Sequence, residues 1–291
     1  VYKRQSYYRA TSVEDAITAL SNADGMAAVL AGGQSLVPML NLRLSPVDHL
    51  IDLRPITALS RQEETPEAIC YGALTTHAAF EDGAVPDGTN GLMRYAASHI
   101  AYRAVRNRGT LGGALALADP AADWLTTAVA LDASVTLTGP DGQRYLAITD
   151  FVVGPYYTQI AEHEIIDSVV VPRRSVTERW GYYKVAPKVG EYAKSLAVAL
   201  VDSEKASARL VIGAWNDVPV VLEASASALL DGAKKNHLSM IVQNELDLKM
   251  PSLSPAERRL HTATAVRAAE QTRSCLLYTS PSPRDGLLSR M

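Results

Sequence analysis

The sequence predicts an α+β fold, and three observations predict it. Near the N-terminus a short apolar run, Ala27 to Ala31, ends in a double glycine, Gly32 and Gly33, and passes into a helical pattern. The same device, a double glycine opening a helix, returns at Gly112 and Gly113. From about Ser175 onward, apolar and β-branched stretches are spaced as strands of an antiparallel sheet, with helical segments after them.

In order, Ser12 to Leu20 reads as a capped amphipathic helix, with Ser12 first, acids at Glu14 and Asp15, and apolar Val13, Ile17 and Leu20. Ala27 to Ala31 is a buried strand, and Ser35 caps the helix that follows the turn. Residues 47–56 form a strand ending near Asp52, which closes a β/α unit at about Ile56. Residues 68–80 begin as a strand, with Thr75 capping a helix from Thr76, and Gly91 to Ile100 is another helix. Pro120 stands at a helix start, where its missing N–H costs nothing. Alternation around Gly139-Pro140-Asp141-Gly142 predicts a hairpin, and residues 164–172 a strand ended by Pro172. Beyond 175 come strands around Trp180 and between Ser195 and Trp215, then helices at 225–232 and 251–271. The expected division is 1–56, 57–174 and 175–272. The tail at 273–291 lacks periodicity and reads, with the first five residues, as non-native or disordered sequence.

Composition bounds the function. The chain has 291 residues and a formal net charge of −3, so no basic excess argues for nucleic acid. No apolar run approaches the roughly 20 residues of a membrane span, and no signal pattern opens the chain, so a cytoplasmic protein is expected. Two cysteines, Cys70 and Cys275, are too few for a four-thiolate iron–sulfur cluster and are expected as free thiols. The six histidines show no metal-ligand spacing, and no motif of nucleophilic catalysis is present.

The chemistry sits in the glycine turns. Glycine allows positive φ and lets a ligand approach the backbone, and successive N–H groups in such a turn form an anion-binding concavity. The plain alternative is a tight strand–helix turn with no ligand. Two such loops suit one long ligand with a diphosphate in its middle. Neither is a GxGxxG or GxxxxGK[ST] sequence, so Rossmann and P-loop readings lose their support. Arg106 and Arg108 could face phosphate or brace the loop.

AGGQSLVPMLNLRL followed by DLRPI, then RNRGTLGGALALADPAAD, VVVP, YYK and KVGEYA resemble the FAD-binding medium subunit of the molybdenum hydroxylases, from about Ser6 to about Gln271. The resemblance implies a two-subdomain FAD-binding domain of the PCMH type, followed by a C-terminal domain of antiparallel sheet plus helices. It implies that Val29, Leu30, Ala31, Gly32, Gly33, Gln34, Ser35 and Leu36 hold the FAD diphosphate, together with Thr110, Leu111, Gly112, Gly113 and Ala114. Gln34 stands where some relatives have His and cannot tether flavin covalently. Ala114 stands where a polar residue is frequent. Asp123 matches an acid holding the nucleotide half of FAD; alone it would be an acid in a helix first turn. Ile166 matches a residue lining the flavin, Lys184 a cation at its N1–C2=O side, and Tyr192 an aromatic covering the ring. Without the resemblance these read as a core isoleucine, a solvated lysine and a half-buried tyrosine. Glu191 replaces the usual Asp.

The implied function is electron transfer. A large molybdenum–pterin subunit oxidises substrate, a small iron–sulfur subunit relays electrons to FAD on this chain, and an external acceptor reoxidises it. The implied assembly is a dimer of heterotrimers. A self-contained flavin oxidase of the same fold class, or a nucleotide-binding module without catalysis, are the alternatives.

Overall fold

The computed structural model describes residues 5–273. The expectations for Cys275 and for nearly all of the two chain ends lie outside these residues. Among the described residues, three larger sheets and one two-stranded ribbon carry the architecture.

The first sheet is parallel, with β1 (Ser6–Arg9), β2 (Ala27–Leu30) and β3 (His49–Asp52) in the order β1-β3-β2. Parallel neighbours need crossovers, which α1 (Val13–Ser21) and α2 (Leu36–Asn41) supply. Ser12 caps α1 as expected: its Oγ accepts the Asp15 N–H at 3.1 Å. Ser35 occupies the N-cap of α2 but makes no capping bond. Its backbone is helical rather than extended, and the residue three positions on is Pro38, which has no N–H to donate. Strand β2 is only partly buried, because one of its faces opens on a cavity.

A 3₁₀ turn (Thr57–Ser60) leads into β4 (Gln62–Glu64) and β5 (Ala68–Gly72). Five helices follow: α3 (His77–Glu81), α4 (Leu92–Ser98), α5 (Arg103–Arg106), α6 (Leu111–Leu117) and α7 (Asp123–Ala130). Then come β6 (Ser134–Gly139), β7 (Gly142–Ala147), α8 (Ile148–Phe151), β8 (Val152–Gly154), β9 (Tyr157–Thr158) and β10 (Ile165–Pro172). The second sheet is antiparallel, β4-β5-β10-β6-β7, and the expected hairpin closes at Gly139 opposite Gly142. Two local expectations are corrected. Thr76, not Thr75, caps α3: Thr76 Oγ1 accepts from the Ala79 N–H at 3.2 Å, whereas buried Thr75 donates back to the Gly72 carbonyl at 2.7 Å. Pro120 does not open a helix. It lies in the turn between α6, ended by Ala118 at φ 49°, and α7, where its carbonyl accepts the Ala214 N–H at 3.1 Å.

The third sheet is antiparallel, β11 (Arg179–Val185), β12 (Ser195–Asp202), β13 (Ser207–Gly213) and β14 (Val220–Val221), in chain order. Helices α9 (Glu223–Leu230), α10 (Lys235–Lys249) and α11 (Pro255–Gln271) cover one face, and α7 packs on the other. Side chains alternate across a strand, so Leu196, Val198 and Leu200 join the core around α7 while Ala197 and Ala199 face the helices. Burial on both faces explains why β12 reads as an unbroken apolar run. Gly181 admits α11: a Cβ there would stand 1.9 Å from the Ala268 carbonyl oxygen. Helix α10 escaped the sequence reading, although Leu238, Val242 and Leu246 recur every four residues and are buried.

Candidate functional site

A cavity of about 580 Å³ runs where the three sheet units meet. The loop after β2, the loop before α6, strand β10, and the segment from Lys184 to Tyr192 form its walls. The two glycine loops touch each other. A Cβ on Gly32 would lie 2.0 Å from the Arg108 carbonyl oxygen and 2.9 Å from Gly109 Cα, so no side chain fits between the loops. Gly112 is packed the same way, its hypothetical Cβ 2.5 Å from Ala73 Cβ and 2.8 Å from the Ala73 carbonyl oxygen. These two glycines are required by packing against protein backbone or neighbouring side chain. Gly33, at φ +72°, is required by conformation, because an L side chain is strained there. Gly113 donates its N–H to Thr110 Oγ1 at 3.2 Å, and a Cβ on it would stand 2.8 Å from that Oγ1 and 3.6 Å from Ala31 Cβ. Gln34 ties its loop with a hydrogen bond, its Nε2 donating to the Gly32 carbonyl at 3.2 Å.

Val29, Ala31, Gly32, Gly33, Gln34, Ser35 and Leu36 line the cavity, as do Thr110, Gly112, Gly113, Ala114, Asp123, Ile166, Lys184 and Tyr192. Leu30 and Leu111 do not; both side chains are buried in the protein interior. Arg106 is a brace: its guanidinium reaches both Glu81 carboxylate oxygens at 2.7 and 2.9 Å and the Ile100 and Ala101 carbonyls at 2.8 Å. Arg108 is exposed and lines a smaller recess of about 260 Å³ beside the loops.

One end of the cavity holds a buried charge pair. Lys184 Nζ donates to Asp123 Oδ1 at 2.8 Å and Oδ2 at 2.9 Å, and to the His99 carbonyl at 3.1 Å. The Tyr182 hydroxyl donates to Asp123 Oδ1 at 2.5 Å. Burial first, and the Asp123 charge second, hold the Tyr182 phenol protonated far above its ordinary range. Asp123 and Lys184, expected at the nucleotide half and at the flavin, are in direct contact here, and the lysine charge is neutralised by its partner. Tyr182 opens the YYK stretch but was given no role, because only its lysine was carried over; the alternation that puts both on one face of β11 was the available signal. Tyr192 stands at the rim, 60% exposed. It is positioned by Gly190 (φ +83°), which lies against the Ala101 backbone and the Tyr102 ring: a Cβ there would be 2.8 Å from the Ala101 carbonyl oxygen.

His77 also lines the cavity and is buried. Its Nδ1 accepts the Trp124 indole N–H at 2.9 Å. Burial, with help from the Arg106 charge, pulls its pKa down to about 4, so the ring is neutral at physiological pH.

The residues fit a flavin dinucleotide. The Gly32–Ser35 turn can offer backbone N–H groups to one diphosphate, the second loop, its own N–H groups bonded to Thr75, Ala73 and Thr110, closes against it without side chains, and the cavity extends from them past apolar walls to a polar, charge-compensated end. Fold and site thus define a dinucleotide-binding unit that is neither Rossmann nor P-loop. Residues 3–174 match the model of the FAD-binding domain in molybdopterin dehydrogenases, and the chain belongs to that family. It is an FAD-binding medium subunit of the molybdenum hydroxylase type. Among its relatives, the nicotine 6-hydroxylase medium subunit of Paenarthrobacter nicotinovorans is 37% identical over 71% of this chain and 73% of that protein. The carbon monoxide dehydrogenase medium chain of Hydrogenophaga pseudoflava is 32% identical over 87% and 88%. Among solved structures, carbon monoxide dehydrogenase from Hydrogenophaga pseudoflava superposes with a TM-score of 0.85 at 27% identity, covering 94% of this chain and 98% of that one. Quinoline 2-oxidoreductase from Pseudomonas putida 86 gives 0.82 at 26%, covering 94% and 98%. No helix among the described residues is long and apolar enough to cross a membrane.

Proposed function

We propose that this chain passes electrons, through FAD held non-covalently in the cavity, from a partner iron–sulfur subunit to an external acceptor. The oxidation of substrate belongs to a large molybdenum–pterin subunit. The observation that carries this reading is the backbone contact between the two glycine loops, Gly32 against Arg108 and Gly109, at the wall of a cavity that both loops line. Bound FAD supplies the chemistry: it takes up and gives off electrons singly or in pairs. The chain's own residues bind and orient it. Loop N–H groups from Gly32 to Ser35 face the diphosphate, the side-chain-free Gly112–Gly113 edge lets it pack against the second loop, whose own N–H groups are held by Ala73 and Thr110, Ile166 packs against the ring system, and Tyr192 covers it at the rim. The Tyr182–Asp123–Lys184 group fixes a polar contact at the flavin end while adding no net charge there.

That relatives are named medium chains or medium subunits supports two partner chains, and a dimer of heterotrimers is the assembly we propose for the complex. Residues 1–56 and 57–174 are proposed as the two halves of the FAD clasp, with 175–272 as the third unit. The purified chain should show the visible absorption of oxidised flavin, and acid precipitation should release that flavin into the supernatant. Colourless protein that takes up no added FAD would overturn the reading, and flavin kept in the pellet would overturn non-covalent binding. The isolated, FAD-loaded chain should oxidise no purine, heterocycle or carbon monoxide; turnover without partners would assign the chemistry to this chain instead.

A further inference from the structure

We infer that His77 is a further cofactor-holding residue, whose Nε2–H is presented to the cavity as a hydrogen-bond donor for an acceptor oxygen of the bound dinucleotide. The inference rests on the FAD reading and adds a side-chain donor to loops that otherwise offer mainly backbone. The indole nitrogen of Trp124 can only donate, so at 2.9 Å it fixes Nδ1 of His77 as the acceptor. A neutral imidazole has one proton, and it must then sit on Nε2. The indole cannot easily turn away, because Phe80 packs on it at 5.0 Å between centroids and Tyr71 packs on Phe80 at 4.9 Å. The histidine is fixed from its backbone as well: its N–H donates to the Gly109 carbonyl at 2.9 Å.

Nε2 lies at Gly109, where a Cβ would stand only 2.7 Å from it. Glycine therefore leaves that edge of the ring uncovered, and both residues line the cavity. Among the described residues no hydrogen bond engages Nε2, while Nδ1 is engaged. A largely buried donor without a protein acceptor, at the wall of a ligand cavity, is matched by a ligand acceptor. The burial that keeps the ring neutral keeps Nε2–H a neutral donor rather than one end of a cation.

The test uses the whole chain, stripped of flavin and titrated with FAD by flavin fluorescence. His77→Gln can accept from Trp124 and still donate to the cavity, so it should keep the parent's affinity. The pair His77→Leu with Trp124→Phe removes the donor without leaving the indole N–H unpaired, and should weaken FAD binding by roughly tenfold. Equal affinity in parent and double variant would overturn the inference, as would a Gln variant as weak as the double variant. A measurement on the parent needs no variant. The ring ¹⁵N resonances of His77 should report the Nε2–H tautomer, and the Nε2 signal should shift on adding FAD. A proton on Nδ1, or no shift with FAD bound, would overturn it. Parent protein that binds no FAD at all would overturn instead the reading on which this one rests.

Discussion

Replacing Asp123 by Asn should be the most damaging conservative change in the cavity. Asp123 is 5% exposed and the Lys184 side chain 9%, so both charges sit away from water. Asn keeps the shape and an acceptor for the Tyr182 hydroxyl. It leaves the Lys184 ammonium with neutral acceptors, the shared amide oxygen and the His99 carbonyl at 3.1 Å, and without a counter-charge. Breaking a buried ion pair on one side costs about 3–5 kcal/mol, because the surviving charge stays buried and uncompensated. That is a factor of about 10² or more in the folding equilibrium at 1.4 kcal/mol per decade. Lys184→Met alone strands the carboxylate and should cost a similar amount. The double variant Asp123→Asn with Lys184→Met strands neither and should lie within about 1–2 kcal/mol of the parent, since apolar replacement of both partners is frequently near neutral. Urea unfolding of all four flavin-free proteins, followed by tryptophan fluorescence, closes the cycle, with Trp124 adjacent to the changed residue. Additive single costs would refute the reasoning and show that water screens the pair. The same series, FAD-loaded, separates stability from cofactor electronics: Lys184→Met leaves a naked carboxylate beside the flavin and should lower its reduction potential, whereas the double variant should restore it most of the way.

Three further outcomes are expected. His77 and His261 are both buried neutral with pKa values pulled down to about 4 by burial, so unfolded chains bind protons that folded ones refuse. Stability should be full above pH 6.5 and fall toward pH 4, by roughly 3 kcal/mol for each histidine, and His261→Gln should remove part of that slope in pH-dependent urea midpoints. Gly33→Ala places a Cβ at φ +72° within 3.2 Å of Val37 and 3.3 Å of Leu30, and should cost about 1–2 kcal/mol of stability and weaken FAD retention; an unchanged melting curve would contradict the strained turn. Gly190→Ala collides with the Ala101 carbonyl at 2.8 Å, so it should displace Tyr192 and speed flavin oxidation by oxygen, read by stopped-flow, while leaving the distant α10 and α11 packing intact.

What could be read from the sequence divides by the range of the interaction. Helix α1, the β6–β7 hairpin and both glycine loops are written in residues a few positions apart, and they were legible. Ser35 and Thr75 misled because capping depends on which of two neighbouring residues is extended, a choice that tertiary contact makes; for Ser35 the warning, Pro38, was in plain view. The roles of the glycines were half legible. Flexibility suggested a ligand, but Gly32 and Gly112 answer to Arg108 and Ala73, residues far off in the chain. The meeting of Asp123 with Tyr182 and Lys184 spans 59 and 61 positions, and no local pattern announces it.

The same meeting sets a timetable for synthesis. The first glycine loop leaves the ribosome about 150 residues before Lys184, which at ordinary rates of translation is a wait of roughly ten to thirty seconds. Lys184 is itself useless until β12 emerges, because Leu196 is its ladder partner. A fragment stopping at residue 174, where the family match ends, therefore owns both glycine loops yet neither Lys184 nor Tyr192, and it exposes the buried face of α7. On the proposed reading of the site, cofactor loading waits until the chain beyond Leu196 has been made.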